Sequence, residues 1–248
     1  MAIKKHPIKI IQAGSSYIPF QIQEMKTKSV RFRFNSKGGS INLPPYLSKS
    51  NKKAFIARGE DWVLKYVERN PHWMTIFRAE KYETGSKIQT SLKLYTIERI
   101  KGKDNKITAK LYDSKILLSA PETNKELFEN LDSIRRALHR VISKDLKNEV
   151  DELIRTVNRE TLQVNINKIN IKYNHSNWGS CSSNGNINIS SRLLFAPMWV
   201  IESVIKHELA HFKEMNHSSR FWNIIEAIDQ KHKQANLWLK ANSWHCDF

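Results

Sequence analysis

The chain has 248 residues, 40% of them apolar, with 41 Lys/Arg against 24 Asp/Glu for a formal charge of +17. That is length for one large domain or two small ones, with a sizeable core. No stretch approaches the ~20 apolar residues of a membrane span, and the start, Met1-Ala-Ile-Lys-Lys-His-Pro7, lacks the apolar run of a secretory signal. The two cysteines, Cys181 and Cys246, are too few for a disulfide framework, so a reducing cytoplasm is the expected setting.

In chain order, residues 18–43 are expected to form a small meander. Ile18–Gln23 and Ser29–Phe34 alternate apolar and polar residues, Ser36–Gly39 is turn-like, and Ser40–Leu43 returns before Pro44-Pro45. Lys49 to Arg69 is predicted as an amphipathic helix with Phe55, Trp62, Val63 and Tyr66 inward, broken by Asn70-Pro71. Residues 87–119 return to a β pattern, with Lys101–Asn105 as a hairpin loop. Pro121-Glu122 opens a helical stretch to about Thr161, punctuated near Lys144. Strands are predicted at 164–173 and 186–190, separated by a polar turn over Asn174–Gly185. Three helices follow: one opening near Pro197, one near 219–232 and one near 235–242. The expected fold is α+β: a basic β-rich region at 1–120 with one amphipathic helix, a helical connector at 121–162, and a C-terminal domain at 163–248.

Charge is uneven along this order. Residues 1–120 carry 24 Lys/Arg and 9 Asp/Glu, a net of +15, whereas residues 121–248 carry 17 and 15, a net of +2. A field of that sign attracts polyanions, so DNA contact through the first half is one of two readings. The bland alternative is that the lysines solubilise a β-rich surface.

The motif with the most chemistry is His207-Glu208-Leu209-Ala210-His211, followed by His217. Histidines four apart on a helix lie on one face, so both can reach one ion. Val200, Val204, His207 and His211 form one stripe, and Ile201, Ile205, Phe212 and Leu209 a second. The helix is therefore expected to be mostly buried, where unpaired imidazoles would be costly. Two hydrogen-bonded core histidines and a salt-bridged glutamate are the bland reading. The third histidine argues for metal: three neutral nitrogens hold Zn²⁺ at about 2.0–2.1 Å and leave a position for water. Ligation by His217 requires the helix to stop near Met215, with Asn216 in a left-handed conformation and Ser218 capping the next helix. Glu226 on that next helix, with Asp229 beyond it, competes as third ligand. Glu208 is placed as general base of a metal-assisted peptide hydrolysis.

Asn177-Trp-Gly-Ser-Cys-Ser-Ser183, Asn186-Ile-Asn-Ile189, Ala196-Pro197, His207–His211 and Lys213-Glu-Met-Asn-His-Ser-Ser-Arg-Phe-Trp222 resemble the YgjP-like metallopeptidase family. Ser40–Ser48 and Asp61-Trp62 resemble its first half. The resemblance implies a zincin-type domain, related to SprT-like and Wss-like proteases, with His207, His211 and His217 as zinc ligands and Glu208 as base. It also implies that strand 186–190 is the edge beside the cleft, able to align an extended peptide. Trp178, Ser180, Cys181, Asn188, Arg220 and Glu226 are candidates for supporting the ligands or touching substrate. Arg220, His175 and His232 are candidates for stabilising the oxyanion. The chain departs from the family pattern at Asn177, at Lys206 and at Ser190-Ser191, none of which belongs to the ligand set.

Two further readings compete. Cys181 with His175 forms a possible nucleophile and base, or Cys181 an extra ligand making the protein latent. A nucleic-acid-binding accessory protein would carry a structural or inactive metal site.

Overall fold

A computed structural model describes residues 4–102 and 106–246, a mixed α+β fold with three small sheets. The chain divides into two compact units. The first comprises Met1–Ser86, Glu98–Thr108 and Leu118–Arg135, and the second Lys87–Ile97, Ala109–Leu117 and Arg136–Phe248. The stretch expected as a connector at 121–162 is thus shared between them. No helix among the described residues is long and apolar enough to cross a membrane.

The first unit holds a five-stranded sheet. Its strands are β1 (Lys4–Lys5), β2 (Lys9–Ala13), β3 (Ser16–Glu24), β4 (Arg31–Asn35) and β5 (Gly38–Leu43). The order is β1-β3-β5-β4, with β2 also on β3. This is not the meander expected from alternation. The chain crosses over after β3, so β5 lies parallel to it (Phe20↔Gly39), and β4 pairs antiparallel with β5 on the far side. Local alternation gives each strand's faces but not its partner.

Helix α1 (Lys49–Arg69) starts where Ser48 accepts a hydrogen bond from the Asn51 amide (3.2 Å). It packs closely because two contact positions lack a side chain. A Cβ on Gly39 would sit 2.5 Å from Val63 Cγ2, and one on Gly59 would sit 2.8 Å from Phe20 Cζ. Phe32 stacks on Trp62 (5.7 Å) and Phe34 meets Tyr66 (4.9 Å), which adds aromatic contacts to the buried Ile18, Phe20, Ile41 and Val63.

Strands β6 (Lys87–Gln89), β7 (Leu94–Lys101), β8 (Thr108–Tyr112) and β9 (Lys115–Ala120) form a sheet in the order β6-β7-β9-β8. The hairpin loop expected at Lys101–Asn105 includes residues 103–105, which lie outside the described residues. The strands on either side of it are not neighbours, because β9 lies between them. The two-residue turn instead joins β8 to β9 at Asp113, whose φ is 55°.

The predicted helical stretch is three helices: α2 (Asn124–Glu129), α3 (Leu131–Asp145) and α4 (Lys147–Glu160). Thr123 caps its start, accepting from the Glu126 amide (3.3 Å) while its hydroxyl donates to the Glu126 carboxylate (2.9 Å).

In the second unit, β10 (Lys168–Lys172), β11 (Gly179–Cys181) and β12 (Asn186–Ser190) form a sheet in the order β10-β12-β11. Strand β12 is therefore central, parallel to β10 and antiparallel to β11, with Ile187 and Ile189 buried. The expected edge strand at 186–190 is corrected: the edge is β11, a three-residue strand inside the stretch read as a polar turn. After a 3-10 turn at Ser191–Phe195 come α5 (Met198–Ala210), α6 (Ser219–Ile228) and α7 (His232–Asn242).

Candidate metal centre

Helix α5 begins after Pro197 and buries Val200, Ile201, Val204, Ile205 and Leu209. It ends at Ala210, earlier than the expected stop near Met215, and His211 is its still-helical C-cap (φ −64°, ψ −18°). The amides of Lys213 and Glu214 both donate to the Ala210 carbonyl (3.0 Å), which tightens the exit. Asn216 does not take the left-handed conformation expected of it; among the described residues, the non-glycine ones with positive φ are Asp113 and Gln163. The bend is closed instead by the Ser218 amide donating to the Asn216 carbonyl (2.8 Å). Ser218 then caps α6, accepting from the Phe221 amide (3.4 Å).

This bend delivers His217 to the other two histidines. One ring nitrogen from each of His207, His211 and His217 lies within 4.8 Å of the others. The Nε2 atoms of His207 and His217 stand 3.0 Å apart. Nitrogens around one tetrahedral zinc stand about 3.3 Å apart at ordinary bond lengths. The donor set therefore fits a divalent ion. His211 Nδ1 lies 3.2 Å from the Glu214 carbonyl oxygen. Donation there puts the proton on Nδ1 and leaves Nε2 as the lone-pair donor. Burial, and then the neighbouring His211, His217 and His232, pushes His207 down to about 4, and burial lowers His211 as well. Neutral imidazoles are the form that binds metal.

Phe221, part of the Lys213–Trp222 motif, has a place in the site that the sequence does not assign it. It is fully buried, and its ring centroid lies 4.9 Å from His207, 4.7 Å from His211 and 4.7 Å from His217. All three imidazoles thus lean on one aromatic floor. Its place four residues after His217, one turn into the next helix, is the sequence signal for this contact.

Glu208 is 5% exposed, and burial pushes its carboxyl up to about 8. A cation held by the imidazoles would favour the ionised form again. Its side chain lies against Gly179 of β11, where a Cβ would come 2.5 Å from Oε1 and 2.7 Å from Cγ. The glycine is there for space, since its φ is not in the left-handed range.

Histidines and carboxylate line a cleft of about 460 Å³. Trp178, Ser180 and Cys181 line it too, as do Met215, Trp222 and His232. Of the residues expected near substrate, Asn188, Arg220 and Glu226 do not line it, nor does His175. Asn188 instead donates to Ser180 Oγ (3.1 Å) and accepts from Asn170 (3.2 Å), tying the sheet together. Glu226 is exposed and meets Lys233 (3.4 Å). Trp178 is held by the Arg192 guanidinium, 4.6 Å over its ring, and Arg192 also donates to the carbonyls of His175 (3.3 Å) and Ser243 (2.9 Å). Burial, and then the Glu208 charge, pushes the Cys181 thiol up to about 11.

The YgjP-like metallopeptidase domain matches residues 28–242. The chain belongs to the YgjP-like metallopeptidase family. A YgjP-like protein is a metal-dependent peptidase acting on peptide or protein substrates, which gives the histidine cluster and its buried carboxylate a chemical setting. The crystal structure of the metallopeptidase zymogen of Pyrococcus abyssi abylysin is also similar, at 22% identity and a TM-score of 0.33, over 37% of this chain and 93% of that one. That likeness is too slight to argue from. No curated protein matches the chain.

Proposed function

We propose that the protein is a zinc-dependent metallopeptidase in which His207, His211 and His217 hold the ion and Glu208 is the general base. The convergence of three imidazole nitrogens beside a buried carboxylate, on the wall of an open cleft, carries this reading. When bound, zinc supplies Lewis acidity toward a substrate carbonyl and an attacking water. Glu208 accepts the water's proton and returns it to the leaving amine. Gly179 holds that carboxylate in place by the room it leaves and no more. The open side of β11 offers backbone groups to which an extended peptide can add as a further strand. His232, whose Nδ1 lies 2.9 Å from the Asp229 carbonyl oxygen, is the oxyanion candidate that lines the cleft, and it needs an N–H on Nε2 to donate there.

The accessory-protein reading, with a structural metal, calls for a fourth protein donor. The metal-binding group found among the described residues offers three donors, and Cys181 is not one of them. Glu208→Gln decides the matter. The variant should keep one zinc per chain by elemental analysis and lose hydrolysis of a quenched peptide library by about 10²–10⁴-fold. Turnover retained with zinc in place would overturn the assignment.

A further inference from the structure

Helix α3 carries a row of cations that the cleft does not use. From Arg136 onward it buries Leu138, His139 and Ile142 and turns Arg136, Arg140 and Lys144 outward. Four-residue spacing keeps these side chains on one face, about 6 Å apart along the axis and about 12 Å from first to last. The three lie along a groove of about 680 Å³ that Lys147 and Lys172 also line. Among the described residues, no carboxylate lines that groove. Four of the five cations are exposed; Lys147 is partly buried, donating to the Ile169 carbonyl (2.8 Å) and lying 3.5 Å from Asp151. Asp151 is itself engaged by Arg155 at 2.6 Å.

A second concavity, of about 600 Å³, shares Arg140 and Lys144 and adds Lys110 and Tyr112 from β8. Its carboxylate, Asp145, is taken up by Lys93 (2.8 Å) and Tyr95 (2.7 Å). The basic face thus continues across α3 without a free acid. Tyr112 is 59% exposed, an aromatic ring left in water at the rim. On the other side, Tyr173 lines the groove with one face stacked on His139 (4.2 Å).

We infer that this face of the second unit binds single-stranded nucleic acid, with the α3 cations on successive phosphates and Tyr112 as a base-stacking platform. A concave basic track with an exposed aromatic at its rim is what sequence-tolerant strand binding uses. Their spacing of about 6 Å is close to the distance between successive phosphates of an extended strand, so the α3 row meets about three phosphates and Lys172, in the same groove, a fourth. A membrane surface would be met by an apolar face able to sink into lipid, and this groove offers cations there instead. The inference does not depend on the peptidase reading. It also moves the polyanion contact from the basic first half, where composition put it, to the unit that holds the histidine cluster.

The test uses the full chain and a labelled, mixed-sequence single-stranded DNA of about 20 nucleotides, followed by fluorescence anisotropy. Between about 50 and about 200 mM salt, the slope of log K against log salt should be near −3, from about 0.7 per phosphate over four contacts. Arg136→Glu/Arg140→Glu/Lys144→Glu should weaken binding at least tenfold and flatten the slope to about −1. The milder Arg136→Gln/Arg140→Gln/Lys144→Gln should shift both in the same direction with an unchanged circular dichroism spectrum. A charge-matched control in the first unit, Lys26→Glu/Lys28→Glu/Lys53→Glu, should change affinity less than about threefold. An equal loss in that control would overturn the inference. So would displacement by poly-glutamate as effective as by unlabelled DNA, binding to anionic vesicles in place of DNA, or no binding at about 10 μM protein.

Discussion

The cleft at α5 and the groove along α3 belong to one unit and are opposite in chemistry. The cleft, about 460 Å³, gathers three imidazoles and a buried carboxylate with no lysine or arginine in its wall. The groove, about 680 Å³, gathers five lysines and arginines with no carboxylate. The first works by desolvation: burial keeps His207 neutral and its partners close. The second works by exposure, because its cations stay solvated until a polyanion releases their counterions. The two should therefore answer to different perturbations, and a mutation or solvent change that moves both alike would break the comparison.

The largest separation should come from the metal. Chelation, or His217→Ala, should abolish peptide hydrolysis and leave oligonucleotide affinity within about twofold; His217→Ala should also lose its zinc by elemental analysis. Full metal occupancy without His217 would move the third-ligand assignment elsewhere. Phe221→Ala comes next. It removes a fully buried ring that touches all three imidazoles, so it should cost about 3–5 kcal/mol in denaturant unfolding and weaken zinc by about 10–100-fold. Loss of stability with unchanged zinc affinity would reduce Phe221 to packing alone. Gly179→Ala should lower kcat about tenfold at full zinc occupancy, since the methyl group displaces Glu208. The smallest effect sharpens the contrast. Raising salt from about 50 to about 200 mM should change hydrolysis of an uncharged peptide by less than about twofold, while DNA affinity falls by one to two orders of magnitude.

The sequence carried those features that depend on spacing along the chain. Helix α1 has the bounds, Lys49–Arg69, that its apolar stripe and the Asn70-Pro71 break imply. The four- and six-residue spacings of His207, His211 and His217 are enough to suggest their meeting, because a helix turn and a capped bend are local geometry. What could not be read depends on residues far apart. β11 is three residues long, too short for alternation to register, and it becomes a strand through its pairing with β12. The parallel pairing of β3 with β5 and the central place of β12 are likewise choices of partner. The Gly179–Glu208 contact spans 29 positions and carries no periodic mark. The basic row on α3 was also hidden. Residues 121–248 have a net charge of only +2, and it took the helix to put three of its cations on one face and leave its acids elsewhere.

The missing side chain at position 179 makes strand and acid a matched pair of sizes. Glu208→Asp draws the carboxylate back by one methylene and opens about the volume that an alanine on β11 would fill. Each change made singly misplaces the proton acceptor, by crowding in one case and by shortfall in the other. Made together they should interfere less than the product of their separate penalties, and a double-mutant cycle on kcat would read that exchange directly.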